Sequence, residues 1–229
     1  TFRMLCDGKS AMVFQFESFG MRKVLRQAKP QSIEELTALN ALYRPGPMDY
    51  IPQFVECKWG RKPIIYPHPS LEPILKETYG VMVYQEQVMQ ATQVVAGYTL
   101  GGADLLRRAM GKKKHEEMVK QRATFCAGAL KLHNIPEARA NEIFDVLEKF
   151  AGYGFNKSHA AAYSVVAYKT AYLKANYPAE FLAANLTNEI HNPNKLTEYI
   201  AEAREMNLAV LPPHINHSEK FFSVHEGNI

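Results

Sequence analysis

Residues 137–150 read Glu-Ala-Arg-Ala-Asn-Glu-Ile-Phe-Asp-Val-Leu-Glu-Lys-Phe. Ala140, Ile143, Phe144, Leu147 and Phe150 recur at three- and four-residue steps, which places them along one side of a helix with a period near 3.6. Polar residues fill the other side, so the segment predicts a surface helix with one buried face. Reading outward, the same period appears on both flanks. Glu116–Leu132 precedes it, closed by Asn134 and Pro136, and His159–Asn176 follows a glycine turn, with Ser158 as the expected N-cap and Pro178 as its end. Leu100–Met110 is expected to end at Gly111, and Tyr84–Val95 to break at Gly97. Ala179–Ile190 and Lys195–Met206 continue the pattern toward the end of the chain.

The amino-terminal third is less regular. Ile33–Leu42 carries Ile33, Leu36, Leu39 and Leu42 at helical spacing behind Ser32. Tyr43-Arg44-Pro45-Gly46-Pro47 then stops it. Five more prolines fall between residues 48 and 73, which predicts a rigid, irregular connection. Ala11–Glu17 is a short apolar run that periodicity assigns to neither strand nor helix. Leu208–Leu211, ahead of Pro212-Pro213, is expected to be a strand that begins another unit. The fold class is therefore mainly α, a multi-helix domain with long proline-rich connections and at most a few short strands.

The net charge is +4, unevenly spread. From Arg107 to Lys131 eight basic residues face two acids, whereas from Glu180 to Ile229 seven acids face three bases. Arg107-Arg108-Ala109-Met110-Gly111-Lys112-Lys113-Lys114 places five positive charges in eight residues. Paired guanidiniums on a helix are planar forks that match phosphate oxygens, and Lys112, Lys113 and Lys114 add mobile point charges. The partner of such a surface is a polyanion; otherwise the run is a solvated face. Asp104, three and four residues earlier, is placed to hold a guanidinium in position.

A second constellation is Gly152-Tyr153-Gly154-Phe155-Asn156-Lys157-Ser158-His159. Lys157, Ser158 and His159 stand at a helix N-terminus, where free N–H groups favour anions. Alternatively this is a tight turn with Ser158 as an ordinary cap. Tyr153 and Phe155 either stack on a base or fill the core.

Several classes are excluded. There is no Gly-x-x-x-x-Gly-Lys-[Ser/Thr] loop, no His-Glu-x-x-His and no Gly-x-Ser-x-Gly. The four aspartates, Asp7, Asp49, Asp104 and Asp145, are dispersed, so no pair is spaced to hold two metal ions. Three scattered cysteines form no Cys-x-x-Cys pair, which fits a reduced, cytoplasmic compartment. The longest weakly polar run, Ala160–Tyr168, is far short of the ~20 residues of a membrane span. No signal peptide or initiator methionine is present, and both ends look like cuts inside a longer protein.

Five motifs, in order, resemble the fingers region of the bacterial DNA polymerase III alpha subunits. They are Val13-Phe14-Gln15-Phe16-Glu17-Ser18; Arg44-Pro45-Gly46-Pro47; Tyr84-Gln85-Glu86-Gln87-Val88-Met89; the run from Gly97 to Lys114; and Phe150-Ala151-Gly152-Tyr153-Gly154-Phe155-Asn156-Lys157-Ser158-His159. The resemblance implies a fragment of a C-family, template-directed DNA polymerase, inactive alone, with a fingers domain over 1–207, nucleotide-facing helices within about 80–176, and a truncated unit beginning at 208. It implies that Arg107 and Arg108 grip the triphosphate of an incoming deoxynucleotide and that Lys112–Lys114 extend this surface. Lys157, Ser158, His159 and Tyr163 are implied second contacts, and Arg44 either joins them or braces the fold. Mg2+ is implied for the complete enzyme, held by palm aspartates outside this chain and not by this fragment. Partners implied are primer–template DNA, the incoming dNTP, the palm of the same polypeptide, and replisome subunits such as the sliding clamp through other regions; no membrane is involved. Without the resemblance, a stand-alone helical nucleic-acid-binding module and a helical protein-interaction domain remain as readings.

Overall fold

The computed structural model describes residues 1–112 and 115–229. Among these the chain forms twelve α-helices and three short 3-10 turns, with two isolated β-bridges and no sheet. The mainly α expectation holds. The chain divides into two compact units, residues 1–31 with 164–229, and residues 32–163. Residues 208–229 group with the first of them.

The second unit holds α3 (Ile33–Leu42), α4 (Ile51–Lys58), α5 (Glu72–Leu75), α6 (Gln85–Ala96), α7 (Leu100–Lys112), α8 (His115–His133) and α9 (Glu137–Ala151). Its core joins α6 to α9: Val88, Ala91 and Val95 meet Leu106, Phe125, Ala129, Ile143, Phe144 and Leu147. These are the positions the helical period selects, which is why the four helices pack on one another. Phe125 and Phe144 meet edge to face at 5.4 Å, a geometry aromatic rings prefer. Gly128 brings α8 directly onto the last turn of α6, where a Cβ would lie 2.1 Å from the Ala96 carbonyl oxygen.

The first unit contains α1 (Phe2–Cys6), α2 (Phe19–Ala28), α11 (Pro178–Asn188) and α12 (Pro193–Glu205). The helix α10 (Lys157–Asn176) is continuous; its residues from Ser164 onward count with this unit. Phe181, Leu182 and Leu186 of α11 pack with Tyr199 and Ala203 of α12 and with Met12. Lys174 is buried with its ammonium on the Ala11 carbonyl at 3.0 Å and on Glu202 at 2.6 Å. Burial lowers its pKa, and the Glu202 carboxylate opposes that fall.

Several local expectations are corrected. The proline-rich stretch is not irregular throughout, because it contains α4, α5 and the 3-10 turns. Pro52 and Pro73 stand in the first turns of α4 and α5, where a missing N–H leaves no bond unmade. The helix α7 does not stop at Gly111 but runs on to Lys112. Ala11–Glu17 is a series of turns, with Met12 and Gln15 at positive φ. Leu208–Leu211 is not a strand, although Leu211 donates to the Ile229 carbonyl and Ile229 to that of Ala209. The helix α10 begins at Lys157, so Ser158 lies inside its first turn.

Candidate functional site

The paired arginines lie in the second half of α7. Leu106, Ala109 and Met110 bury one side of this helix and so fix the azimuth of Arg107 and Arg108. Asp104 holds both guanidiniums. Its Oδ1 accepts from Arg107 Nε at 3.2 Å and Nη2 at 2.8 Å, and its Oδ2 lies 2.8 Å from Arg108 Nη2. The hydrogen bond from Arg107, then the two positive charges, hold the Asp104 carboxyl below its ordinary pKa. The Arg107 side chain is 19% exposed and that of Arg108 is 62% exposed. One carboxylate thus orients two forks, and among the described contacts it engages three of their ten N–H donors. Of Lys112 the backbone is described, as the last residue of α7; Lys113 and Lys114 lie outside the described residues.

The second constellation is built where α6 and α10 begin side by side. Phe155 N–H donates to Val83 and Gln85 N–H to Phe155, forming a single parallel bridge centred on Tyr84 and Phe155. A side chain at Gly154 would be crowded, since a Cβ would lie 3.1 Å from the Gln85 nitrogen. Gln87 secures the start of α6: its amide oxygen accepts from Val83 and Tyr84, and its amide nitrogen donates to Ile74 and Thr78.

The start of α10 already holds an anion from within the chain. The Glu86 carboxylate accepts the Lys157 N–H at 3.1 and 3.0 Å and the Asn156 amide at 3.2 Å. The cap is Asn156, whose side-chain oxygen accepts from His159 N–H at 2.8 Å. The Lys157 ammonium binds both oxygens of Glu77, at 2.7 and 2.8 Å, and lies 5.4 Å from the centre of the Tyr84 ring. Burial, then the nearby carboxylates Glu77, Glu86 and Glu34, raise the pKa of the Tyr84 hydroxyl. Ser158 is exposed and does not cap the helix.

His159 and Tyr163 are exposed on the next turn. The His159 ring lies 5.5 Å from Phe155 and 4.2 Å from Tyr163, so three rings run in series. Arg44 extends the series, with its guanidinium 4.7 Å from the centre of Phe155. It also donates to the Ala41 and Tyr153 carbonyls, and burial lowers its pKa. Gly46, at φ +94°, lets the turn close on the Tyr153 ring. The alternative that Arg44 is a brace therefore describes its contacts. No described contact joins Arg107 or Arg108 to Lys157, Ser158 or His159.

Sequence reasoning missed Glu86 and Glu77. Both lie at least 70 residues from the groups they hold, so no spacing announces them. Among the described residues no group of three or more His, Cys, Asp or Glu side chains is arranged to hold a metal ion, and no helix is long and apolar enough to cross a membrane.

Residues 1–133 match the family model described as the bacterial DNA polymerase III alpha subunit finger domain. The whole chain is 58% identical over 229 residues to a DNA polymerase III subunit alpha of Borreliella burgdorferi and 59% identical over 229 residues to one of Treponema pallidum. It is 56% identical over 228 residues to another from Rickettsia prowazekii. The chain spans about a fifth of the length of these relatives (20%, 20% and 19%).

Proposed function

Because the chain belongs to the finger-domain family of bacterial DNA polymerase III alpha subunits, we propose that it is the part of a template-directed DNA polymerase that receives the triphosphate of the incoming deoxynucleotide. The observation that supports this most is the pair of guanidiniums fixed on Asp104. Phosphoryl transfer builds negative charge on the leaving pyrophosphate, and preoriented cations stabilise that charge without reorganising during the step. Arg107 supplies a half-buried, tightly held fork, and Arg108 an exposed one. Lys112, Lys113 and Lys114 follow closely in the sequence and add three positive charges.

His159 and Tyr163 serve a different part of the same substrate. Their adjacent, mutually tilted rings offer an exposed aromatic surface of the kind that meets a base or sugar, supported by Phe155 and Arg44. Lys157 and Ser158 have a lesser part: the ammonium and the backbone N–H of Lys157 are engaged with Glu77 and Glu86, and Ser158 contributes an exposed hydroxyl at most.

On this reading the magnesium ions are held outside this chain. Among the described residues Asp104 is bound by two arginines and Asp145 by Arg122, and no group of three or more His, Cys, Asp or Glu side chains is placed to hold a metal ion. The reading assigns the metal-binding aspartates to the palm of the same polypeptide, in the cytoplasm, and no chemical step to the residues described here. Primer–template DNA and replisome subunits are partners of the complete enzyme on this reading.

The test is Arg107→Ala in the complete polymerase subunit. Losing charge-assisted hydrogen bonds of about 1.5–3 kcal/mol lowers kcat/KM for dNTP incorporation by about tenfold or more, with primer–template affinity little changed. Unaltered turnover and KM for dNTP would remove Arg107 from the site.

A further inference from the structure

The surface around Arg107 is not the only positive one. Residues 1–29 hold six basic side chains, Arg3, Lys9, Arg22, Lys23, Arg26 and Lys29, against Asp7 and Glu17. That surplus of +4 equals the net charge of the whole chain. It is carried mainly by α2, which buries Met21, Val24, Leu25 and Ala28. The opposite side exposes Phe19, Lys23 and Arg26. At 3.6 residues per turn these three fall within an arc of about 60° and along about 10 Å of helix.

Three observations set this stripe apart from a solvated face. Phe19 is 83% exposed, although a ring of that size gains by burial. Neither Lys23 nor Arg26 takes part in any of the described ion pairs, so no described carboxylate neutralises their charge. Arg26 is also seated: its guanidinium lies over Gly8, at φ +70°, where a Cβ would stand 2.6 Å from Nη1.

The loop leading into α2 adds to the surface. Val13 and Phe16 are fully buried, Ser10 Oγ donates to the Phe16 carbonyl at 2.6 Å, and Phe14 N–H donates to Thr170 at 3.1 Å. Met12 and Gln15 are held at φ 60° and 64°, a conformation that costs a non-glycine residue of order 1 kcal/mol. The strained backbone turns Phe14 and Gln15 outward.

We propose that the outer face of α2, with the loop before it, is a binding platform for single-stranded DNA, in which Phe19 stacks on a base and Lys23 and Arg26 neutralise phosphates. Interleaved exposed rings and unpaired cations are the combination that such surfaces use. A duplex would leave the rings idle, because its bases are already stacked. This site is separate from Arg107 and Arg108 in sequence and structural unit, and it rests on the family reading only for the identity of the polyanion as DNA.

The test uses the complete polymerase subunit and labelled oligodeoxythymidylate, with a blunt duplex as the second probe, over a salt series. Lys23→Gln/Arg26→Gln is expected to flatten the slope of log K against log salt by about 1.4, at about 0.7 per phosphate contact. Phe19→Ala is expected to weaken single-strand binding by about 5- to 150-fold with the slope unchanged. Unchanged affinity and slope in both variants would overturn the proposal. Equal losses on the blunt duplex would overturn the single-strand assignment. Because incorporation kinetics of Arg107→Ala are read separately, failure of either idea leaves the other standing.

Discussion

Glu86 closes the amino-terminal end of α10 by accepting the backbone N–H of Lys157 through both carboxylate oxygens, at 3.1 and 3.0 Å. A negative side chain at a helix start is favoured by the unpaired N–H groups and by the helix dipole. Here it comes from the first turn of another helix, so one contact ties the start of α6 to that of α10. Glu86→Ala should cost about 1–3 kcal/mol, the range for leaving such a donor without a charged partner. Urea unfolding would measure this, and amide exchange should quicken at Asn156–His159. Exchange unchanged across that turn would show that the contact does not hold the helix start.

Arg44 ties three parts of the second unit together through the Ala41 carbonyl, the Tyr153 carbonyl and the Phe155 ring. The planar guanidinium reaches two oxygens and a ring face at once, which an ammonium does not do. Arg44→Ala should destabilise the chain by about 1.5–3 kcal/mol. Arg44→Lys should recover less than half of that loss. In NMR spectra the Phe155 and His159 ring signals should move in both variants. Full rescue by lysine would mean that only the charge matters.

Much of this architecture is legible in the sequence, for local reasons. The faces of α6, α8 and α9 follow from a 3.6-residue period, and the link from Asp104 to Arg107 and Arg108 follows from three- and four-residue spacing. The helix α2 is not among those expected from the sequence, although Ser18 caps it and Met21, Val24, Leu25 and Ala28 follow at helical spacing. What spacing does not show is long-range. Glu86 meets Lys157 across 71 residues, and Glu77 meets it across 80. Prolines misled for a different reason. Pro52 and Pro73 read as breaks, whereas each stands where a helix tolerates it. Asn156 rather than Ser158 became the cap because the bridge at Phe155 fixes where α10 starts.

The ring of His68 is placed to make stability depend on pH. Burial, then the charges of His133 and Arg139, lower its pKa below the ordinary histidine value near 6.5. Its Nδ1 accepts from the Ser70 N–H at 3.3 Å, and the ring lies 5.1 Å from that of His133. Since the unfolded chain binds this proton more readily, the stabilising contribution is complete above about pH 6.5 and is lost as pH falls through the folded value. The melting temperature should therefore drop more between pH 7.5 and 5.5 for the native chain than for His68→Gln. Parallel pH profiles would exclude His68 as the titrating group.

Gly128 gives the sharpest steric prediction. Replacing a glycine inside a helix by alanine ordinarily gains about 1 kcal/mol. Here the added methyl would lie 2.1 Å from the Ala96 oxygen and 2.9 Å from its carbonyl carbon, both backbone atoms. Neither can swing aside as a flexible side chain does, so α8 has to move off α6. That movement opens the core around Val95, Phe125 and Ala129. Overpacking of this kind costs about 1–3 kcal/mol, which exceeds the propensity gain. Gly128→Ala should therefore lower the urea midpoint and Gly128→Val lower it further. Gly111→Ala is the control: it lies in α7 with nothing within 4 Å of its added methyl, so it should raise the midpoint slightly. A stabilised Gly128→Ala would show that the two helices separate at no cost.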